Sequence, residues 1–204
     1  MVTDAVHGRG AREIEIIRSA YRVMARRGSH RLSLQDIADE AGVSKGLLLY
    51  HFGSKDNLLL ESMQWALERT AERILKRMAS AADSQEALGA LIEAVFVSPE
   101  ANRDFYLFYL DLVEHLARVP SFSTLSSMLH EKINGLYAAV IETGRARGIF
   151  AVGDVDIAAR NMRALIEGTF LQWLQTSGWR RNHRQWRDDC QQALIKLLSS
   201  APEA

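Results

Sequence analysis

The sequence predicts an all-α fold, and three observations carry that prediction. Apolar residues recur at spacings of three and four along most of the 204-residue chain, which is the period of an amphipathic helix. No segment shows the sustained apolar–polar alternation of a half-buried strand. Only three prolines occur, at Pro99, Pro120 and Pro202, so long helices can run without an interior breaker. We expect about nine helices, three in an N-terminal head and the others in a larger C-terminal body.

The composition and net charge are those of an ordinary globular protein. Hydrophobic residues make up 48% of it, charged residues 25%, and the formal net charge is zero. The whole molecule therefore lacks the basic excess that often marks a nucleic-acid-binding protein, and any such function must rest on local features. Cys190 is the only cysteine, which excludes an internal disulfide and fits a reducing cytoplasm. With no signal-like segment and no run of about 18 apolar residues, we expect a cytoplasmic protein without a membrane partner.

The first helices are short and bounded by clear signals. Ile14, Ile17, Tyr21 and Met24 lie on one face of a first helix that Gly28 can end.

A helix-turn-helix pattern follows this first helix. Ser33 and Asp36 form a capping box at the start of a second helix, which must end at Gly42. Ser44, two residues later, can cap a third helix over residues 45–51. The pattern is therefore a helix, a tight glycine turn and a second helix, although such a turn alone could also join two helices of any α-helical core.

The third helix has two contrasting sides. Leu48 and Phe52 can anchor it from beneath. Four other residues of this helix do not form a buried face: Lys45, Gly46, Tyr50 and His51. A DNA-recognition helix needs one buried and one exposed side, because its exposed residues must reach base edges. A glycine lets the backbone approach the duplex, and polar groups beside it bind phosphates. The pattern therefore predicts DNA binding, with Lys55 near the next helix start suited to a phosphate contact.

The head resembles the tetracycline-repressor (TetR) family over about 50 residues. The resemblance is carried by Leu34-x-x-Ile37-Ala38-x-x-Ala41-Gly42-Val43-Ser44-Lys45-Gly46-x-Leu48-x-Tyr50-His51-Phe52-x-Ser54-Lys55-x-x-Leu58-Leu59. It implies a DNA-binding repressor that leaves a pseudo-palindromic operator when a small molecule binds its body. The DNA-binding residues that it implies are Ser33, Val43, Ser44, Lys45, Gly46, Leu49, Tyr50, His51 and Lys55. Among these, Ser33 and Tyr50 are expected at phosphates and Lys55 at the backbone. Leu49 stands where many relatives have tyrosine, so we expect an apolar contact with a thymine methyl there.

We expect a head over residues 1–53 and an effector-binding and dimerisation body over residues 54–204, with 54–82 as a linking helix. Ser54 can cap the fourth helix, and the fifth lies around Leu88–Phe96. Pro99 can open the sixth helix, Pro120 separates it from the seventh, and Gly148 can end the seventh. Asp154 or Asp156 can cap the eighth helix, which we expect to end near Ser177, and a turn at Gly178 precedes the ninth.

The sixth helix is unusually aromatic. Such stripes usually belong to a core, but the family resemblance implies a cavity in the body that would suit a largely apolar effector with a few polar contacts. The expected effector-binding residues are Phe105, Phe108, Tyr109, Leu112, His115 and Met128.

The eighth helix is apolar around more of its circumference than a one-sided surface helix needs. This indicates a second partner, and the resemblance implies a four-helix interface between the eighth and ninth helices of two subunits. The expected interface residues are Leu165, Ile166, Phe170, Trp173, Trp186, Leu194 and Leu197. The alternative is that all of them form intramolecular core.

Two other functions remain to be weighed. An enzyme is disfavoured, because the six histidines are scattered and neither a His-Glu-x-x-His pair nor a Gly-x-x-x-x-Gly-Lys loop occurs. We accordingly expect neither a metal nor a cofactor. The second alternative is a DNA-binding protein of the same fold that responds to no effector.

Overall fold

The structure is a computed structural model that describes residues 9–28, 32–81, 84–118 and 123–199. Every regular element in these ranges is an α-helix, which confirms the predicted fold class. The helices are α1 (Ala11–Arg27), α2 (Leu34–Ala41), α3 (Lys45–Phe52), α4 (Lys55–Met78), α5 (Ser84–Val95), α6 (Pro99–Arg118), α7 (Ser123–Ala146), α8 (Val155–Leu174) and α9 (Trp179–Ser199). None of the helices in this part of the chain has an apolar stretch that could cross a membrane.

Most helices begin and end where local signals place them. Ser54 Oγ accepts the N–H of Asn57 at 3.1 Å ahead of α4. Of the two candidate caps for α8, the structure uses Asp154, whose Oδ1 accepts the N–H of Ile157 at 2.9 Å. Two ends come earlier than the sequence suggests, since α4 stops at Met78 and α8 at Leu174.

The chain forms two compact units. One comprises Met1–Arg69 and Asp104–Ser126, and the other Thr70–Arg103 and Ser127–Ala204. The unit that holds α1–α3 therefore also holds the second part of α6. The sequence predicts a head that ends at residue 53, whereas the two compact units do not divide the chain there. The predicted domain boundary stays a prediction.

In the first unit, aromatic contacts join α6 to the head. Ile16 and Ala20 of α1 and Ile37 of α2 are fully buried. Next to them, the ring of Tyr21 meets Phe108 edge-on, with centroids 5.3 Å apart, and approaches Trp65 at 6.1 Å. Phe108 thus completes the packing around α1.

In the second unit, α8 packs on α9 through a dense aromatic cluster. Phe170 stacks on Phe96, with centroids 4.3 Å apart, and meets Trp173 edge-on. Trp173 donates its indole N–H to the carbonyl of Trp179 at 2.8 Å, and its ring lies 5.2 Å from that of His183. This cluster fills the core of the unit.

The last turns of α7 have no room for a side chain at Gly144. A Cβ atom on Gly144 would lie 2.2 Å from the ring of Phe150, closer than any real contact allows. Because Phe150 is buried, its ring can occupy this place only where the helix has no side chain. The N–H of Ala151 then bonds to the carbonyl of Leu198 at 2.9 Å, which ties the α7–α8 turn to α9.

Candidate nucleic-acid interface

The turn between α2 and α3 is built from local hydrogen bonds. Gly42 has the left-handed backbone φ 62°, ψ 41°, and its N–H bonds back to α2. The N–H of Val43 reaches the carbonyl of Ala38 at 2.9 Å, and Arg12 of α1 donates to the carbonyl of Gly42 at 3.0 Å. Ser44 caps α3 by accepting the N–H of Leu47 at 3.2 Å. The turn between the two helices is therefore held by backbone hydrogen bonds together with the side chains of Arg12 and Ser44.

Helix α3 is buried on one side only. Leu48 and Phe52 retain 1% and 4% of their exposure. On the opposite side Leu49 is 42% exposed and Tyr50 82% exposed, and Lys45 and Gly46 are exposed as well. Large apolar side chains are costly to leave in water, so this surface suits a partner that covers it.

Most basic side chains of the head are already paired with carboxylates. Arg22 and Arg26 both contact Glu40, and their hydrogen bonds, that of Arg26 above all, lower the pKa of this carboxyl. Arg27 pairs with Asp36. Within the described ranges Lys45 forms no ion pair, so its charge at the start of α3 is available to a phosphate.

Ser33 and Lys55 hold the beginning of α2. The hydroxyl of Ser33 donates to Asp36 Oδ2 at 2.6 Å and accepts the N–H of Asp36 at 3.2 Å. The hydroxyl and the backbone N–H of Ser33 both donate to this carboxyl and lower the pKa of Asp36, and the charge of Arg27 lowers it further. Lys55 Nζ donates to the carbonyl of Leu32 at 3.0 Å. Lys55 is thus tied to the chain just before α2 and is only partly exposed.

His51 makes a contact that sequence reasoning missed. Its Nδ1 lies 3.0 Å from Oε1 of Glu13, in the first turn of α1. Both side chains are about three-quarters buried, with exposed fractions of 22% and 25%. The two residues are 38 positions apart, so nothing in the local pattern could reveal the pair.

The expected effector residues fall into three groups. Phe105 and Tyr109 are half-buried and their rings are nearly parallel, with centroids 6.3 Å apart. Phe108 is completely buried against Tyr21. The side chains of the remaining three lie outside the described part of the structure: Leu112, His115 and Met128.

The expected interface residues also divide. Four are fully buried within the single chain: Ile166, Phe170, Trp173 and Leu194. Half-buried are Leu165, Trp186 and Leu197. A different stripe of α8 is more exposed, with Ile157 at 49% and Leu171 at 46%.

The second unit also contains a small cavity of about 330 Å³. Its lining is mainly apolar, with one amide and one hydroxyl: Leu88, Ile149, Phe150, Gln192, Ile195, Leu198 and Ser199. No cluster of three or more potential metal-binding side chains occurs among the residues that the structure describes.

Comparison with known families assigns both parts of the chain. Residues 16–62 match the family of bacterial regulatory proteins called the tetR family. Residues 84–193 match the C-terminal region of BetI-type transcriptional repressors.

Individual relatives agree with this assignment. The HTH-type transcriptional repressor KstR2 of Rhodococcus jostii is 31% identical over 161 residues, which cover 78% of each chain. A transcriptional regulator of Saccharomonospora viridis, solved in complex with choline, is 29% identical, with a TM-score of 0.69 and coverage of 90% of this chain and 93% of that one. A TetR-family regulator of Rhodococcus shares the fold at 22% identity, with a TM-score of 0.78 and coverage of 92% and 98%.

The helix-turn-helix, the nine helices in the described ranges and these matches point the same way. The chain belongs to the TetR family and is a DNA-binding transcriptional regulator.

Proposed function

We propose that the protein acts in the cytoplasm as a homodimeric repressor that binds a pseudo-palindromic operator through α3 and leaves it when a small, largely apolar molecule binds the body. The observation that carries this proposal is the exposed side of α3. There Leu49 and Tyr50 stand in solvent beside Lys45, which forms no ion pair with the described residues. A bound duplex would cover Leu49 and Tyr50 and would place phosphates near Tyr50 and Lys45.

DNA binding is tested by selecting duplexes from a random-sequence library with the purified protein and titrating the selected duplex in a mobility-shift assay. An enriched pseudo-palindrome supports the proposal, whereas no enrichment contradicts it. Lys45→Ala should weaken binding to all duplexes and reduce the salt slope by about one. Lys196→Ala removes the same charge from exposed α9 and should leave both unchanged.

Lys55 requires separate treatment because it also bonds to Leu32. Lys55→Ala should weaken operator binding and flatten its salt dependence. If the variant has a normal helical circular dichroism spectrum and its operator affinity and salt dependence are unchanged, a contact between Lys55 and the DNA backbone is contradicted.

The dimer proposal now rests on the exposed side of α8 and the half-buried residues of α9. Ile157, Ala164, Gly168 and Leu171 follow one another at helical spacing on that side. Two small residues between two larger apolar ones would let a second α8 approach closely. Half-buried Leu165, Trp186 and Leu197 remain candidates for the rim. Sedimentation at micromolar concentration should show a dimer, and a monomer would contradict the proposal.

The effector proposal rests on the aromatic side of α6. Phe105 and Tyr109 are partly open and can offer ring faces to a ligand, whereas Phe108 is packed against α1. A regulator with 29% identity binds choline, so choline is the first probe, followed by a panel of apolar molecules. A true effector should raise the melting temperature and release the selected duplex. A release of 100-fold requires about 2.7 kcal/mol of coupling between the two sites.

Tyr109→Ala should reduce this response while preserving operator affinity without ligand. Phe108→Ala should instead lower the melting temperature, because it leaves a cavity beside Tyr21. If no compound in the panel stabilises the protein or releases the duplex, the effector-independent alternative is favoured.

A further inference from the structure

The contact between His51 and Glu13 places a carboxylate of α1 directly behind the recognition helix. We propose that Glu13 is a positioning residue for operator recognition, which fixes the ring of His51 so that Nε2 faces the DNA. The inference rests on the proposed docking of α3 in the major groove. Glu13 itself touches no DNA in this arrangement.

Hydrogen bonding determines which nitrogen of His51 is left for the DNA. A carboxylate only accepts hydrogen bonds, so the 3.0 Å contact requires a hydrogen on Nδ1. In the neutral ring Nε2 then carries the lone pair and accepts a hydrogen bond. Such an acceptor matches the amino groups that cytosine and adenine present in the major groove.

Glu13 is held in place from its other side. Its Oε2 accepts the backbone N–H of Gly10 at 3.0 Å, at the start of α1. One carboxylate oxygen is thus bound to the backbone and the other to the His51 ring. The ring also packs edge-on against Tyr50, with centroids 5.2 Å apart. Because both oxygens of Glu13 are hydrogen-bonded, the position of α1 can determine the position of the His51 ring on α3.

A simple charge effect would have the opposite sign to the one proposed. Removal of any acid from the DNA-facing head weakens repulsion of phosphates and should strengthen binding. Glu15, two positions further along α1, provides the matched control, because it is 57% exposed and its ion pair among the described residues is with Arg12. Glu15→Ala should therefore bind DNA as tightly as the wild type or more tightly. Glu13→Ala should bind about 5- to 10-fold more weakly, as expected for loss of one ordered hydrogen bond.

The test uses the full-length protein and a duplex that the wild type selects from a random library. Glu13→Ala, Glu13→Gln, Glu15→Ala, His51→Ala and the Glu13→Ala/His51→Ala double variant are titrated at fixed salt. Glu13→Gln keeps an acceptor and should restore most of the affinity. In the His51→Ala background, Glu13→Ala should cause no further weakening, which separates ring positioning from fraying of α1.

Nitrogen-15 spectra of the imidazole give a readout that folding alone does not change. The wild type should show His51 with the hydrogen on Nδ1, and Glu13→Ala should move this population towards Nε2. Three results would overturn the proposal: stronger binding by Glu13→Ala, additive losses in the double variant, or an unchanged tautomer. Failure of the wild type to select any duplex would instead refute the proposed docking itself.

Discussion

Helices α3 and α8 both carry more apolar surface than a one-sided helix requires, but they use it differently. On α3, Leu49 and Tyr50 stand in solvent. On α8, Phe170 and Trp173 are completely buried within the chain by Phe96, Trp179 and other neighbours. The comparison shows that an apolar side chain in the sequence indicates burial without naming the partner that buries it.

The difference has a physical cause in helix length and setting. Helix α3 has only eight residues and is anchored by Leu48 and Phe52, while Leu49 and Tyr50 on its opposite side are left exposed. Helix α8 has 20 residues and packs on α9, which places the rings of Trp179 and His183 against Trp173. The largest α8 side chains therefore stabilise the chain itself, and the exposed stripe of α8 is where we propose that a second copy packs.

The largest effect on stability should follow truncation of a buried aromatic side chain of α8. Trp173→Ala removes a fully buried ring and its hydrogen bond to Trp179, which should lower the free energy of unfolding by about 3–5 kcal/mol. Urea titration at fixed protein concentration measures the change. Trp173→Phe keeps most of the volume and serves as the control. A loss below about 1 kcal/mol for Trp173→Ala would indicate that this ring is not core packing.

The next effect concerns the exposed stripe of α8. Leu171→Glu places a charge where the partner is proposed to pack, and burial of an unpaired charge costs several kcal/mol. We expect monomers in sedimentation at micromolar concentration and weaker operator binding, with little loss of helical content. Gln172→Glu on the same helix is the matched charge control and should stay dimeric. A dimeric Leu171→Glu protein would move the interface away from this stripe.

The head was easier to predict than the body because its information is local. Ser33, Gly42 and Ser44 set helix ends through hydrogen bonds to residues a few positions away, and the structure uses all three. The burial of Phe170 depends on Phe96, 74 positions earlier, and the contact of His51 depends on Glu13. Periodicity marks such residues as apolar or polar but carries no information about a distant partner.

A smaller effect on stability should follow truncation of an exposed side chain of α3. Tyr50→Ala changes a side chain that is 82% exposed, so the free energy of unfolding should change by less than about 0.5 kcal/mol. Loss of its proposed phosphate contact should weaken operator binding by about 10-fold. Tyr50→Phe keeps the ring and separates the hydroxyl from stacking. If Tyr50→Ala unfolds as readily as Trp173→Ala, the contrast between the two helices is wrong.

The smallest effect tests the buried polar group beside Trp173. His183 Nε2 lies 2.9 Å from Asn102 Oδ1, while Asn102 donates to the carbonyl of Val95 at 2.8 Å, so the amide oxygen receives a hydrogen from the His183 ring. Burial, followed by the charge of Arg187, lowers the pKa of His183. The ring therefore takes up a proton more readily in the unfolded chain than in the folded one.

This difference makes stability depend on pH with a definite sign. Between the lowered pKa and the ordinary value near 6.5, the unfolded chain binds more protons, so the free energy of unfolding should fall as the pH drops from about 7.5 to 5. His183→Gln retains a donor for Asn102 but does not titrate, and its unfolding energy should vary less over this range. Urea titrations of both proteins at several pH values measure the difference. Parallel pH profiles would show that His183 takes up its proton equally in the two states, in contradiction to its burial in the aromatic cluster.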